Sequence, residues 1–147
     1  MPLEEDLNRY ESLMERLVTA YRARITKICK ETELTPPQFF ALHTLKEHGQ
    51  IKMSPLADAL GLSMGAASTL IDRLVTRGYV GRLTDPTDRR AVFVDLTDAG
   101  HKVLEEANAA KRQLIREIFR ELPDTARAQL LNGLEAMVGA WERLPEA

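Results

Sequence analysis

The chain holds a single cysteine, which excludes an intramolecular disulfide and suits a reducing compartment. It also has no apolar run approaching the ~18 residues of a membrane span. The opening MPLEEDLNRYESL lacks the layout of a signal peptide, so a cytoplasmic protein with no membrane partner is expected. An excess of positive charge is missing too: the formal net charge is −2, and the whole chain does not advertise a polyanion. There is no Gly-rich phosphate loop, no Ser-His-Asp constellation and no metal-ligand cluster. Glu105 and Glu106 are adjacent and so point to different sides of a helix. These absences leave no catalytic residue, metal or cofactor to assign, and an enzyme is not expected. Low-complexity linkers and fixed-period repeats are absent as well.

What is present is ordinary globular composition, 44% hydrophobic and 29% charged, with length enough for one real core. Leu7, Tyr10, Met14, Leu17 and Tyr21 recur at helical spacing and continue through Ile25 and Ile28, which predicts a long amphipathic first helix. TPPQFFALHTL follows, with Thr35 as N-cap, Pro36 at the first helical position and Gln38 completing a capping box. Ser54-Pro55 repeats the cap-and-proline pattern before LADALG, ended by Gly61. Ser63 caps MGAASTLIDRLVTRG, closed by Gly78. YVGRLT and AVFVDLT read as two strands around the turn DPTDRR. Thr97 then caps a long helix with Val103, Leu104, Ala107, Leu114, Ile118 and Leu122. After the Pro123-Asp124 break a last helix carries Leu130, Leu134, Met137, Trp141 and Leu144. The predicted order is α-α-α-α-β-β-α-α, a mainly α fold with a small antiparallel β-wing.

Residues 53–78 fit a helix-turn-helix where sterics decide. Ala57 is small, Gly61 sits where a positive φ is wanted, and Leu56, Leu60, Ala67 and Leu70 supply the apolar contact. The outward face of the second helix is then Met64, Gly65, Ala66, Ser68, Thr69, Asp72, Arg73 and Thr76. Mostly small and hydroxylated, it would let a backbone approach a major groove. A helix-turn-helix match alone is a weak signal; the hairpin over 79–97 that follows it, tipped by Arg89 and Arg90, makes it strong. Charge distribution agrees: Arg73, Arg77, Arg82, Arg89 and Arg90 crowd one segment, whereas MPLEEDLNRYESLME is acidic. Each of these residues has a plainer reading. Ser63 is first an N-cap, with any phosphate contact additional. Arg73 and Arg77 either meet phosphate or serve the helix dipole and neighbouring acids. Paired arginines on an isolated hairpin would be a solvated tip.

The segment LADALGLSMGAASTLIDRLVTRGYVGRLTDPTDRRAVFVDLTDAG resembles the core of the MarR family of bacterial transcriptional regulators, and LTPPQFFALHTL resembles the helix that precedes it. The resemblance implies a homodimer binding a pseudo-palindromic double-stranded operator. Dimerisation would fall to helices 1–34 and 98–147, and DNA binding to a lobe over 35–97. It implies DNA contacts by Ser63, Met64, Gly65, Ala66, Ser68, Thr69, Arg73, Arg77, Asp88, Arg89 and Arg90, with Arg90 entering the minor groove and Asp88 orienting it. It also implies release by a small aromatic or phenolic effector, for which Phe40 and His43 are the candidates; ordinary core and boundary roles compete for both. Some relatives sense peroxides through a cysteine, but the matching position here falls near Glu11. Cys29, beside Ile28 on an apolar face, is read as packing. Zinc-sensing relatives carry a His/Glu cluster after the wing, where this chain has only His101, and His43 and His48 do not share an i, i+4 face. Two alternatives stay open: a winged helix used for protein contact, and an activator without an effector.

Overall fold

Thr35 separates the first two helices and starts the second. Its hydroxyl accepts from the Gln38 N–H at 3.3 Å while Gln38 Oε1 accepts from the Thr35 N–H at 3.0 Å, a complete capping box. The structure is a computed structural model and describes residues Met1–Glu146. Its elements are α1 (Pro2–Thr32), α2 (Pro36–His48), β1 (Ile51–Lys52), α3 (Met53–Leu60), α4 (Met64–Thr76), β2 (Val80–Thr84), β3 (Val92–Leu96), α5 (Asp98–Glu121) and α6 (Asp124–Arg143). The expected helices and both wing strands are present, and the fold is mostly helical with a small antiparallel sheet.

One strand was not anticipated. Ile51 and Lys52 pair with Val94 and Phe93, making a three-stranded sheet in the order β1-β3-β2. That strand corrects the cap expected at Ser54. Lys52 is already extended (φ −72, ψ 156), the switch to helix falls there, and Ser54 lies inside the first turn without capping it. The other caps stand. Ser63 Oγ accepts from the Ala66 N–H at 3.2 Å, and Thr97 Oγ1 accepts from the Gly100 N–H at 3.1 Å.

Two compact units divide the chain, Met1–Ala110 and the remainder from Lys111. In the first, Leu42, Leu45, Leu56, Ile71, Leu74, Val94 and Leu104 are fully buried. Each such side chain contributes about 1.5–3 kcal/mol by leaving water. This core joins α2, α3, α4, β3 and the start of α5, so the helix-turn-helix and the base of the wing share one apolar centre. In the second unit Arg127 closes the α5–α6 turn: Nη1 donates to the Phe119 and Leu122 carbonyls at 3.0 and 3.1 Å, and Nη2 meets the Asp124 carboxylate.

The long apolar seams are not core. Along α1 only Cys29 is buried, and Leu7, Tyr10, Leu17 and Tyr21 are exposed. α6 buries none of its side chains, with Leu134 49% and Trp141 66% exposed. Such apolar faces are costly to leave in water.

Candidate nucleic-acid interface

Gly61 makes the helix-turn-helix corner. At φ +65 it is left-handed, and the Leu62 N–H reaches back to the Ala57 carbonyl at 3.0 Å, so α3 stops and the chain turns toward α4. Leu56, Ala57, Ala67, Ile71 and Leu74 are buried, and α3 packs on α4. The opposite face of α4 is exposed at Met64, Gly65, Ala66, Thr69, Asp72, Arg73 and Thr76, with Ser68 half-buried. Thr69 and Thr76 donate their hydroxyls to the Gly65 and Asp72 carbonyls one turn back, which leaves their oxygens to accept. The face is made of small or polar residues, with Met64 its large apolar side chain and Arg73 its cation.

Turn chemistry holds the wing tip rigid. Asp85 Oδ1 accepts from the Thr87 N–H at 2.9 Å and from its hydroxyl at 2.8 Å, and the Asp85 N–H donates to the Ala91 carbonyl at 3.0 Å. The two Thr87 bonds, its N–H foremost, hold the Asp85 carboxyl below the usual carboxylate range. A depressed pKa means that the turn's support is present above the ordinary carboxylate pKa and is lost as pH falls through the lowered value. The wing tip should therefore keep its order across the neutral and mildly acid range. Its Thr87 amide signal should move only at a pH below the ordinary carboxylate pKa; an NMR titration that moves it near neutrality would contradict this.

At the tip itself Asp88 Oδ1 accepts from the Arg90 N–H at 3.0 Å and lies 3.4 Å from Arg90 Nε. The Arg90 side chain is nevertheless 94% exposed, so it is braced at its root and free at its end. Arg89 is exposed beside it. A second link, absent from the sequence reading, ties wing to helix: Arg82 Nη2 on β2 meets the Asp72 carboxylate on the exposed side of α4. The local excess of arginine was visible in sequence, but this pairing joins two elements and has no local signature. Lys52 adds a cation at the sheet's other edge, its Nζ 5.6 Å from the Phe93 ring centre.

Arg77 departs from the expected phosphate role. Its side chain is only 28% exposed and turns inward to the α1–α2 corner and the Tyr79 ring, so its guanidinium is engaged within the fold. The candidate effector residues share one side of α2. Phe40 is 54% exposed, and half-buried His43 lies 3.5 Å from Glu47 Oε1 and beside the Phe39 ring. A cavity of ≈ 290 Å³ at the α1–α2 corner is lined by residues that include Thr26, Cys29, Leu34 and Pro36. Cys29 is buried there, and burial pushes its thiol pKa up, disfavouring the thiolate. Among the described residues no three His, Cys, Asp or Glu side chains gather as metal ligands, and no helix is long and apolar enough to cross a membrane.

Helix-turn-helix, braced arginine wing and shared core define a winged helix-turn-helix protein of the DNA-binding class. The MarR family model matches residues 34–92. The transcriptional repressor MprA of Escherichia coli K12 is 30% identical over 132 residues, covering 86% of this chain and 75% of that protein. The solved structure of RV1404 from Mycobacterium tuberculosis is 31% identical with a TM-score of 0.76, covering 94% of this chain and 97% of that one. At 19% identity, a mutant of MepR from S. aureus, solved bound to an oligodeoxyribonucleotide, shares the fold with a TM-score of 0.70 over 90% of this chain and 97% of that one. The chain belongs to the MarR family; it is a DNA-binding transcriptional regulator and not an enzyme.

Proposed function

We propose that this regulator is a homodimeric, ligand-responsive repressor that reads a pseudo-palindromic operator with α4 in the major groove and Arg90 in the adjacent minor groove. The observation that carries the reading is the Asp88-braced, 94% exposed Arg90 on the same unit as a recognition helix whose free face is small and polar. A guanidinium on a rigid stem suits the enhanced negative potential of a narrow A·T minor groove. Ser63, Gly65, Ala66, Ser68 and Thr69 let the helix backbone come close to base edges, Met64 offers an apolar contact, and Arg73 and Arg89 reach phosphate. MepR, solved on an oligodeoxyribonucleotide, and MprA, named a repressor, support the same assignment here.

Dimerisation is supported by the exposed apolar residues of α1 and α6, and a two-fold axis would place two recognition helices ~34 Å apart, one turn of DNA. Release would follow from a small aromatic or phenolic effector that contacts Phe40 and His43 and favours a mis-spaced dimer. The test is fluorescence anisotropy on the intergenic DNA beside the protein's own gene against scrambled duplex, across a salt series. Nanomolar, salt-steep binding to the first alone is expected. Arg90→Ala should cost ~1–3 kcal/mol on operator and far less on scrambled DNA. An equal loss on both would reduce Arg90 to a general charge contact.

A further inference from the structure

We propose that Arg77 is a positioning residue: its guanidinium clamps the α1–α2 corner to the C-terminal end of the recognition helix and so fixes how α4 is presented to DNA. The inference rests on the reading that α4 enters the operator. Arg77 is the C-cap residue of α4, where a cation also suits the helix dipole. From there Nη1 donates to the backbone carbonyl of Glu33 and lies 3.5 Å from Gln38 Oε1. Nη2 lies 3.5 Å from the Tyr79 hydroxyl and 3.7 Å from the Glu33 carboxylate, and the guanidinium carbon stands 4.9 Å from the centre of the Tyr79 ring.

Each partner ends or begins an element. Glu33 caps α1 in the left-handed region at φ 58, the one non-glycine residue to do so among those described. That conformation is disfavoured for a side chain with a Cβ and persists only where surroundings enforce it. Gln38 is 6% exposed and belongs to the capping box that starts α2. Tyr79 leads into β2. One planar fork therefore holds the end of α1, the start of α2 and the start of the wing from the end of α4. A lysine, with a single point charge, cannot serve these acceptors and the ring together.

The test compares Arg77→Ala, Arg77→Lys and Tyr79→Leu with wild type in operator and scrambled-duplex titrations over salt. Hydrogen exchange at the Leu34 and Gln38 amides is measured alongside, without DNA. The clamp predicts that Arg77→Ala and Arg77→Lys both weaken operator binding by roughly 5- to 30-fold. Scrambled-duplex affinity and salt slope stay as in wild type, exchange at the corner quickens, and Tyr79→Leu moves both readouts the same way. The clamp is overturned if Arg77→Lys binds like wild type while Arg77→Ala lowers the salt slope by about one, the mark of a phosphate contact. Unchanged corner exchange in Arg77→Ala overturns it as well. A wild-type protein that binds both duplexes alike would instead sink the operator reading, and the positioning role with it. If wild type discriminates and Arg77→Ala matches it in affinity, the positioning role alone falls.

Discussion

Gly100→Ala is expected to cost about 3 kcal/mol or more and to lower Tm by on the order of 10 °C. A Cβ built on Gly100 would stand 2.0 Å from the Tyr79 carbonyl oxygen and 3.0 Å from its carbon. Both are backbone atoms, so no side chain can swing aside, and either α5 or the strand entry must move. That move would break a knot of bonds. The Tyr79 carbonyl accepts from the Thr97 N–H at 3.1 Å, Thr97 Oγ1 donates to the Gly78 carbonyl at 2.5 Å, and the same oxygen accepts from the Gly100 N–H at 3.1 Å. Losing such part-exposed bonds adds about 0.5–1.5 kcal/mol each to the steric cost. The knot joins the end of the α4 turn to the foot of β3, so operator affinity should fall even though Arg90 is intact. A thermal melt within ~2 °C of wild type would show that the junction yields, and that the close approach is not structural.

Why that glycine, and several neighbours, escape a reading of the sequence follows from where their partners lie. Elements set by local chemistry are legible. Ser63 and Thr35 carry their own cap partners three residues on, Gly61 sits at the corner that needs φ +65, and DPTDRR folds back on itself through Asp85 and Asp88. Helix α4 and the wing are thus legible from sequence alone. Features set by distant partners are not legible. Arg77 is separated from Glu33 by 44 positions, and nothing in TRGYV says that its guanidinium turns inward. Asp72 and Arg82 share no helix or strand. β1 is two residues long, too short for any alternation to register, yet it moves the start of α3 and leaves Ser54 without its expected role. Gly100 reads as one small residue in a helix until the Tyr79 carbonyl is placed against it.

The other large effect should come from the far end of the chain. Leu134→Asp places a charge in the middle of the apolar face of α6, where Leu130, Leu131, Met137 and Val138 are also at least 38% exposed. Leu134 is 49% exposed, so the substitution removes only part of its packing and the chain should still fold. If a second copy covers this face, the aspartate is buried without a partner and the interface cannot pay its desolvation. The protein should then sediment as a monomer at micromolar concentration. Operator affinity should drop far more than for any single contact residue, because the second recognition helix no longer benefits from being tethered to the first. Linkage of that kind is worth roughly 10²- to 10⁴-fold. The ordering of the two losses is itself diagnostic: Arg90→Ala keeps the dimer and weakens each half-site, whereas Leu134→Asp keeps each half-site and removes the coupling. Binding of Leu134→Asp to a single half-site should accordingly match that of wild type. A variant that stays dimeric and binds the full operator normally would mean that α6 presents its leucines to something other than a second copy of this chain, and that the two-fold axis must be sought on α1 alone.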